Sequence, residues 1–170
     1  MKDTGVIRKI DELGRIVIPK EIRRSLGIRD GENLEIFVSE KGICLQKHSR
    51  LLNYQELANQ LCTYSYEVMN YKILIFDREE VIASFQNEYK HISINTKLSK
   101  LLENRESYES LSKEKILDEV EPSYYYINPL IISTDVVGLM VFLADSTFSA
   151  EQKKFLKFLS KLLVNKIDVL

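Results

Sequence analysis

The residues best suited to do chemistry in this chain are cations. Lys2, Arg8, Lys9, Arg15, Lys20, Arg23, Arg24 and Arg29 stand within residues 2–29, against Asp3, Asp11, Glu12 and Glu21. The surplus is four positive charges per chain, or eight in a dimer. Guanidinium groups on a rigid frame bind phosphates bidentately and read guanine in the major groove. A single surface arginine is more often a solvated, salt-bridged group. As a set these carry more information, because Arg15 stands at a turn exit and Arg23-Arg24 ride a short helix whose apolar side is already used. Composition alone leaves both readings open.

Other chemistries lack material. Cys44 and Cys62 form no CxxC pair, and His48 and His91 are the two histidines. There is no Ser/His/Asp or Cys/His arrangement, P-loop, GxGxxG or HExxH. Glu79-Glu80 and Glu119 with Glu121 read as solvated turns and faces. The expectation is a non-enzyme with no cofactor and no metal. Cys62 reads as a small packing residue. Without a run of 18 apolar residues or an apolar N-terminal core, neither a membrane span nor a signal peptide is expected. The sparse cysteines fit a reducing cytoplasm.

The elements that must position the cations divide the chain. Residues 1–50 hold eleven Lys/Arg against eight Asp/Glu, whereas residues 51–170 hold thirteen against seventeen. Six of eight arginines and five of six glycines lie in the first stretch. In the front, Val6–Ile10 alternates as a strand and Arg15–Ile18 is a β-branched one, with Glu12-Leu13-Gly14 turning between them. Pro19 suits the first position of a short helix over 21–26, and Gly27 its C′ position. Arg29-Asp30-Gly31 is a turn, followed by strands over 34–38 and 43–47 around Glu40-Lys41-Gly42. About fifty residues bury little alone, so the expectation is a dimer that shares one core.

The segment Asp11-Glu12-Leu13-Gly14-Arg15-Ile16-Val17-Ile18-Pro19-Lys20-Glu21-Ile22-Arg23-Arg24-Ser25-Leu26-Gly27-Ile28, within residues 4–47, closely resembles the AbrB-type swapped-hairpin DNA-binding domain. That resemblance implies interleaved hairpins, a looped-hinge helix and binding of duplex DNA through arginines. Carried over position by position, the DNA-contacting residues are Arg8, Lys9, Arg15, Arg23 and Arg24, with Gly14 and Pro19 holding the hinge.

Between residues 51 and 70, Tyr54, Leu57, Leu61, Tyr64 and Val68 follow spacings of 3, 4, 3 and 4, an a/d seam over two heptads. Asn53 with Glu56 is a candidate cap. The seam reads as a linking or dimerisation helix, with a core helix of the rear as the plainer alternative. Beyond it, Lys72–Asp77 and Val81–Phe85 read as strands around a tight turn. Residues 86–121 are polar and helix-prone, with Leu98, Leu101 and Leu102 as an apolar face. Tyr124–Ile132 and Val136–Leu143 are two more strands. Ser149 with Gln152 is a capping box for a last helix, whose apolar face is Phe155, Leu156, Leu159, Leu162, Leu163, Ile167 and Leu170. Tyr124, Tyr125 and Tyr126 could line a pocket, but alternation sends Tyr125 away from the other two, and core is the commoner role. His91 is expected to be exposed.

The layout is an α+β fold, an antiparallel sheet flanked by helices. It is similar to the GAF family, above all at Val136-Val137-Gly138-Leu139 and the helix that follows. Front and rear together resemble the stage V sporulation protein T family. The implied organisation is an AbrB-like DNA-binding domain over 1–50, a linking helix over 51–70 and a GAF-like regulatory and oligomerisation domain over 71–170. The resemblance further implies a transcription factor of sporulation genes in the forespore of an endospore-forming bacterium. Its partners would be duplex DNA and itself, as homodimer and homotetramer, and its rear contact would join the helices at 51–69 and 149–168. A small-molecule effector of unknown identity is implied for the rear, where no ligand signature stands. The competing readings are an antitoxin-like autoregulator, which usually carries a short, poorly folded acidic tail, and a signalling scaffold that does not bind DNA.

Overall fold

Two apolar runs dictate the architecture of the rear of the chain. Lys72–Phe76 and Asp135–Ala144 are nearly unbroken in apolar residues, the pattern of strands covered on both faces. The structure, a computed structural model, describes residues 5–28, 30–31, 33–40 and 42–168. The chain divides into two compact units, Met1–His48 and Ser49–Leu170.

In the second unit β3 (Lys72–Phe76), β4 (Val81–Ser84), β5 (Tyr108–Glu109), β6 (Tyr124–Ile132) and β7 (Asp135–Ala144) form one antiparallel sheet in the order β4-β3-β7-β6-β5. One face packs Ile73, Ile75, Tyr126, Met140 and Phe142 under α2 (Gln55–Met69) and α4 (Ala150–Asp168). The other packs Leu74, Phe76, Tyr125, Ile127 and Val141 under α3 (Thr96–Asn104) and the loop residues Ile116, Leu117 and Val120. The β3–β4 turn is tied by Asp77, whose Oδ1 accepts from the N–H groups of Glu79 at 2.7 Å and Glu80 at 2.9 Å. The capping box forms as expected, with Ser149 N–H donating to Gln152 Oε1 at 2.8 Å and Gln152 N–H to Ser149 Oγ at 3.2 Å. Leu156, Leu159, Leu163 and Ile167 of α4 are buried, Leu162 is exposed, and Leu170 lies outside the described residues.

Gly138 is required by a close approach. A Cβ there would meet the Phe76 carbonyl oxygen at 2.0 Å and Leu51 Cδ1 at 2.5 Å. The end of β3 can pair with β7 here, with Leu51 packed against the same position, only because that position has no side chain.

Two expectations for this unit are corrected below. The buried stripe of α2 is Ala58, Cys62 and Ser65, which leaves the seam beside and beyond that contact. Small residues let the helix axis approach the strands, which outweighs the size of the apolar groups beside them. Tyr54, Leu57 and Leu61 flank that contact, while Tyr64 and Val68 are 60% and 81% exposed. Asn53 caps nothing: it lies inside a 3₁₀ turn, Leu52–Tyr54, and α2 starts after Tyr54 without a side-chain cap. Residues 86–121 are mostly irregular, with α3 limited to nine residues by Arg105 at φ +59°. Asn95, rather than propensity along the whole stretch, starts α3 by accepting from Leu98 N–H at 2.9 Å.

In the first unit α1 spans Lys20–Ser25, with Pro19 one residue before it as the N-cap. Its end is a Schellman arrangement: Ile28 N–H donates to Arg23 C=O at 2.7 Å and Gly27 N–H to Arg24 C=O at 3.2 Å. β1 (Leu34–Ser39) and β2 (Gly42–Lys47) pair antiparallel, Leu34 opposite Lys47 and Ser39 opposite Gly42. Arg29 and Lys41, each in an expected turn, lie outside the described residues. The strands expected over Val6–Ile10 and Arg15–Ile18 are a correction: residues 5–19 carry no strand. A strand needs a ladder partner, and among the described residues the backbone bonds of this stretch close the local loop from Asp11 to Arg15 and start α1 from Pro19. Ile7 is 87% and Val17 73% exposed, and Ile10, Leu13 and Ile16 are exposed too.

Candidate nucleic-acid interface

The loop at residues 11–15 is a hairpin turn built around one carboxylate. Gly14, at φ +74°, takes a left-handed conformation that a side chain resists, and its N–H donates to Asp11 C=O at 2.9 Å. Asp11 N–H donates to Arg15 C=O at 3.1 Å. The Asp11 carboxylate closes the turn from inside. Its Oδ1 accepts from Leu13 N–H at 3.0 Å and Arg15 N–H at 2.8 Å, and its Oδ2 accepts from Arg15 Nε at 2.7 Å. Those donors, the Arg15 N–H first and its guanidinium second, hold the Asp11 carboxyl below its ordinary range. Arg15 itself is 72% exposed along its side chain.

The other cations are placed differently. Arg23 is half-buried on α1, its Nη1 paired with the Asp30 carboxylate, while its Nε is buried without a hydrogen-bond partner among the described residues. Arg24, the next residue, is exposed. Arg8 and Lys9 are exposed on the irregular segment before the turn, and Arg8 Nη1 donates to the Ile7 carbonyl at 3.0 Å. The five expected contact residues thus occupy three places in one unit: the leading segment, the turn exit and the helix. Sequence reasoning missed Asp11, although an Asp four residues ahead of an Arg with Gly between them is the signature of an Asx-type turn.

The second unit was the expected home of an effector. Between β4 and Pro122 lies an open cleft of about 450 Å³, lined among others by His91, Ser93, Asn95, Lys115, Asp118 and Glu119. Several of its polar groups already serve their own chain. Asn95 Nδ2 donates to Ile116 C=O at 2.6 Å, Lys115 Nζ to Asp118 C=O at 3.3 Å, and His91 Nδ1 lies 2.9 Å from Glu80 Oε1. His91 is exposed, as expected. Beside the cleft Lys97 Nζ bonds the Tyr125 hydroxyl and lies 2.9 Å from Glu114 Oε2, with the Tyr108 and Tyr125 rings 5.0 and 5.1 Å away. Tyr125 O–H donates to Glu114 Oε2 at 2.9 Å. Partial burial presses the Lys97 ammonium down, but the tyrosine and the carboxylate outweigh it, so its pKa is raised. Lys97 first and Tyr125 second lower that of Glu114. Tyr125 and Tyr126 serve opposite cores, as alternation requires. Cys62 is buried, and desolvation pushes its thiol up, which suits a packing residue.

The fold is α+β, an exposed arginine-bearing unit followed by a helix-flanked antiparallel sheet. Residues 7–52 match the family described as antidote-toxin recognition MazE, bacterial antitoxin, and residues 53–167 match stage V sporulation protein T C-terminal, transcription factor. Stage V sporulation protein T of Bacillus subtilis is 34% identical over 164 residues, 91% of this chain and 92% of that protein. The transition state regulatory protein AbrB of the same organism is 35% identical over 94 residues, covering 54% of this chain and 97% of AbrB. The GAF domain of an Acinetobacter phosphoenolpyruvate-protein phosphotransferase superposes with a TM-score of 0.53 at 16% identity, over 70% of this chain and 87% of that one, a likeness of fold. The chain belongs to the stage V sporulation protein T family. Its front is AbrB-type, and its rear shares the fold of GAF domains. Among the described residues no helix is long and apolar enough to cross a membrane.

Proposed function

We propose that this protein is a DNA-binding regulator of sporulation genes whose first unit, as an intertwined dimer, grips duplex DNA through Arg8, Lys9, Arg15, Arg23 and Arg24. The observation that carries the reading is Arg15, presented in solvent at the exit of a turn whose own carboxylate holds it. Exposed Arg8, Lys9 and Arg24 in the same unit add positive charge. The bare apolar residues between Ile7 and Val17 support a partner chain that completes the missing strands, which would double the basic set. In this reading residues 1–50 bind DNA, the helix over 51–70 joins, and residues 71–170 set oligomeric state and sense a small molecule. The exposed stripe on α2, Tyr64 and Val68, with Phe158 and Leu162 on α4, supports pairing of rear units into a tetramer. Two DNA-binding dimers in one tetramer raise affinity through effective concentration. Regulation is by promoter occupancy in the forespore nucleoid, activating or repressing according to position. The antitoxin reading loses ground because the rear is a packed domain rather than an acidic tail.

The test is duplex-DNA binding by fluorescence anisotropy across a salt series, for the whole chain and for Arg15→Ala/Arg23→Ala/Arg24→Ala. About five basic residues per chain contacting phosphates give a log–log salt slope on the order of −5 to −9. The triple variant weakens binding and flattens that slope. Absence of binding at low salt, or binding indifferent to the three arginines, overturns the assignment and favours the scaffold reading.

A further inference from the structure

We propose that Asp11 is the positioning residue of the DNA site, and that it gives up affinity for duplex DNA in exchange for discrimination between sequences. The inference rests on the DNA-binding reading above and adds a residue and a role to it.

A carboxylate at the exposed turn of a DNA-gripping unit is electrostatically unfavourable, because it faces a polyanion and cancels part of a cation's field. Its retention calls for a return, and the hydrogen bonds supply one. The two oxygens of Asp11 do different work. Oδ1 accepts two backbone N–H groups, Leu13 at 3.0 Å and Arg15 at 2.8 Å, and so shapes the turn. Oδ2 accepts from Arg15 Nε at 2.7 Å and so aims the side chain. A free arginine on a surface carries rotamer entropy that binding must overcome. Anchoring Nε removes much of that freedom before DNA arrives. It also leaves the terminal Nη1 and Nη2 donors, the edge that matches guanine O6 and N7 or two phosphate oxygens. An aspartate is charged through the neutral range, so the anchor holds its negative charge there.

The same division lets the two roles be separated. Asp11→Asn keeps an oxygen for the turn N–H groups and replaces Oδ2 with an amide that cannot accept from Nε. Arg15 then stays charged but unaimed. The measurement uses the full-length protein and two duplexes of equal length and composition: the sequence most enriched from a random pool by the wild-type protein, and its scramble. In Asp11→Asn the ratio of affinities falls about tenfold, the loss of one aimed bidentate contact. Affinity for the scramble rises by a factor of a few, because one negative charge has gone. Arg15→Ala loses the same discrimination, and adding Asp11→Asn to it costs no more. Arg15→Lys keeps the charge and the salt slope but lacks Nε, and it loses discrimination as well. It carries the test should Asp11→Asn unfold. An unchanged ratio in folded Asp11→Asn, or in Arg15→Lys, overturns the proposal while leaving DNA binding intact. A wild-type chain that binds neither duplex overturns the DNA-binding reading itself.

Discussion

The two units treat their apolar residues in opposite ways. In the second, both faces of a five-stranded sheet are covered, and Ile73, Leu74, Ile75 and Phe76 are all fully buried in succession. In the first, no described residue is buried, although Ile7, Ile10, Ile16, Val17, Ile36, Val38 and Ile43 are as apolar as anything in the sheet. The difference is one of size. Some 120 residues can enclose a core, whereas fewer than fifty expose too much surface for the volume they contain. The first unit also lacks strand partners for residues 5–19, so its hydrogen bonds and its apolar contacts are both incomplete. One unit thus closes its core within the chain, whereas the described residues of the other leave their apolar groups bare.

The largest break with that comparison comes at Gly138. Gly138→Ala sets a methyl against the Phe76 carbonyl and Leu51, and it costs at least about 3 kcal/mol because the backbone must move. Urea unfolding of the full chain reads this as a collapse of the second unit; a loss below about 1 kcal/mol would mean that the sheet is not so tightly closed. Next comes the first unit. If its bare residues form a shared core, Ile7→Ser and Val17→Ser each cost the assembly about 2 kcal/mol and shift the sedimentation equilibrium toward smaller species. If they are true surface, each changes stability by less than about 0.5 kcal/mol and the association state stays put.

The smallest effect sharpens the comparison inside the second unit. Glu114 titrates below its ordinary value of 4.5 because Lys97 and Tyr125 bond its charged form. A depressed acid contributes stability that is present above its unfolded pKa and lost as pH falls through the folded one. Denaturant midpoints followed from about pH 6 down to pH 3 therefore drop in the wild type. In Glu114→Gln that acid limb is shallower. An identical limb in the two proteins would show that Lys97 and Glu114 do not interact in solution.

Much of the fold could be read from residue pattern alone. Buried strands announce themselves by unbroken apolar runs, as at Lys72–Phe76, and the last helix by a capping box whose two bonds both form. Such signals are local, so tertiary context has little to override. The packing side of α2 was not legible for the opposite reason. Which side of α2 meets the sheet depends on how closely the axes approach, and Ala58, Cys62 and Ser65 win by being small rather than by being strongly apolar. Residues 86–121 failed likewise, because a polar helix-prone stretch becomes loop where its apolar residues, Ile116, Leu117 and Val120, are needed to seal a sheet face.

The candidate site divides along the same line. Residue type and spacing by themselves determined that a short, arginine-rich front carries the positive charge, that a longer acidic rear follows it as a separate module, and which family the two resemble. Those properties depend on composition and short-range order, which a chain possesses before it folds. Only the tertiary structure decided that Arg15 is held by Asp11 while Arg23 is held by Asp30, and that Gly138 stands where two strands nearly touch. Each of these is a relation between groups, set by distances of a few ångströms that only the folded backbone defines.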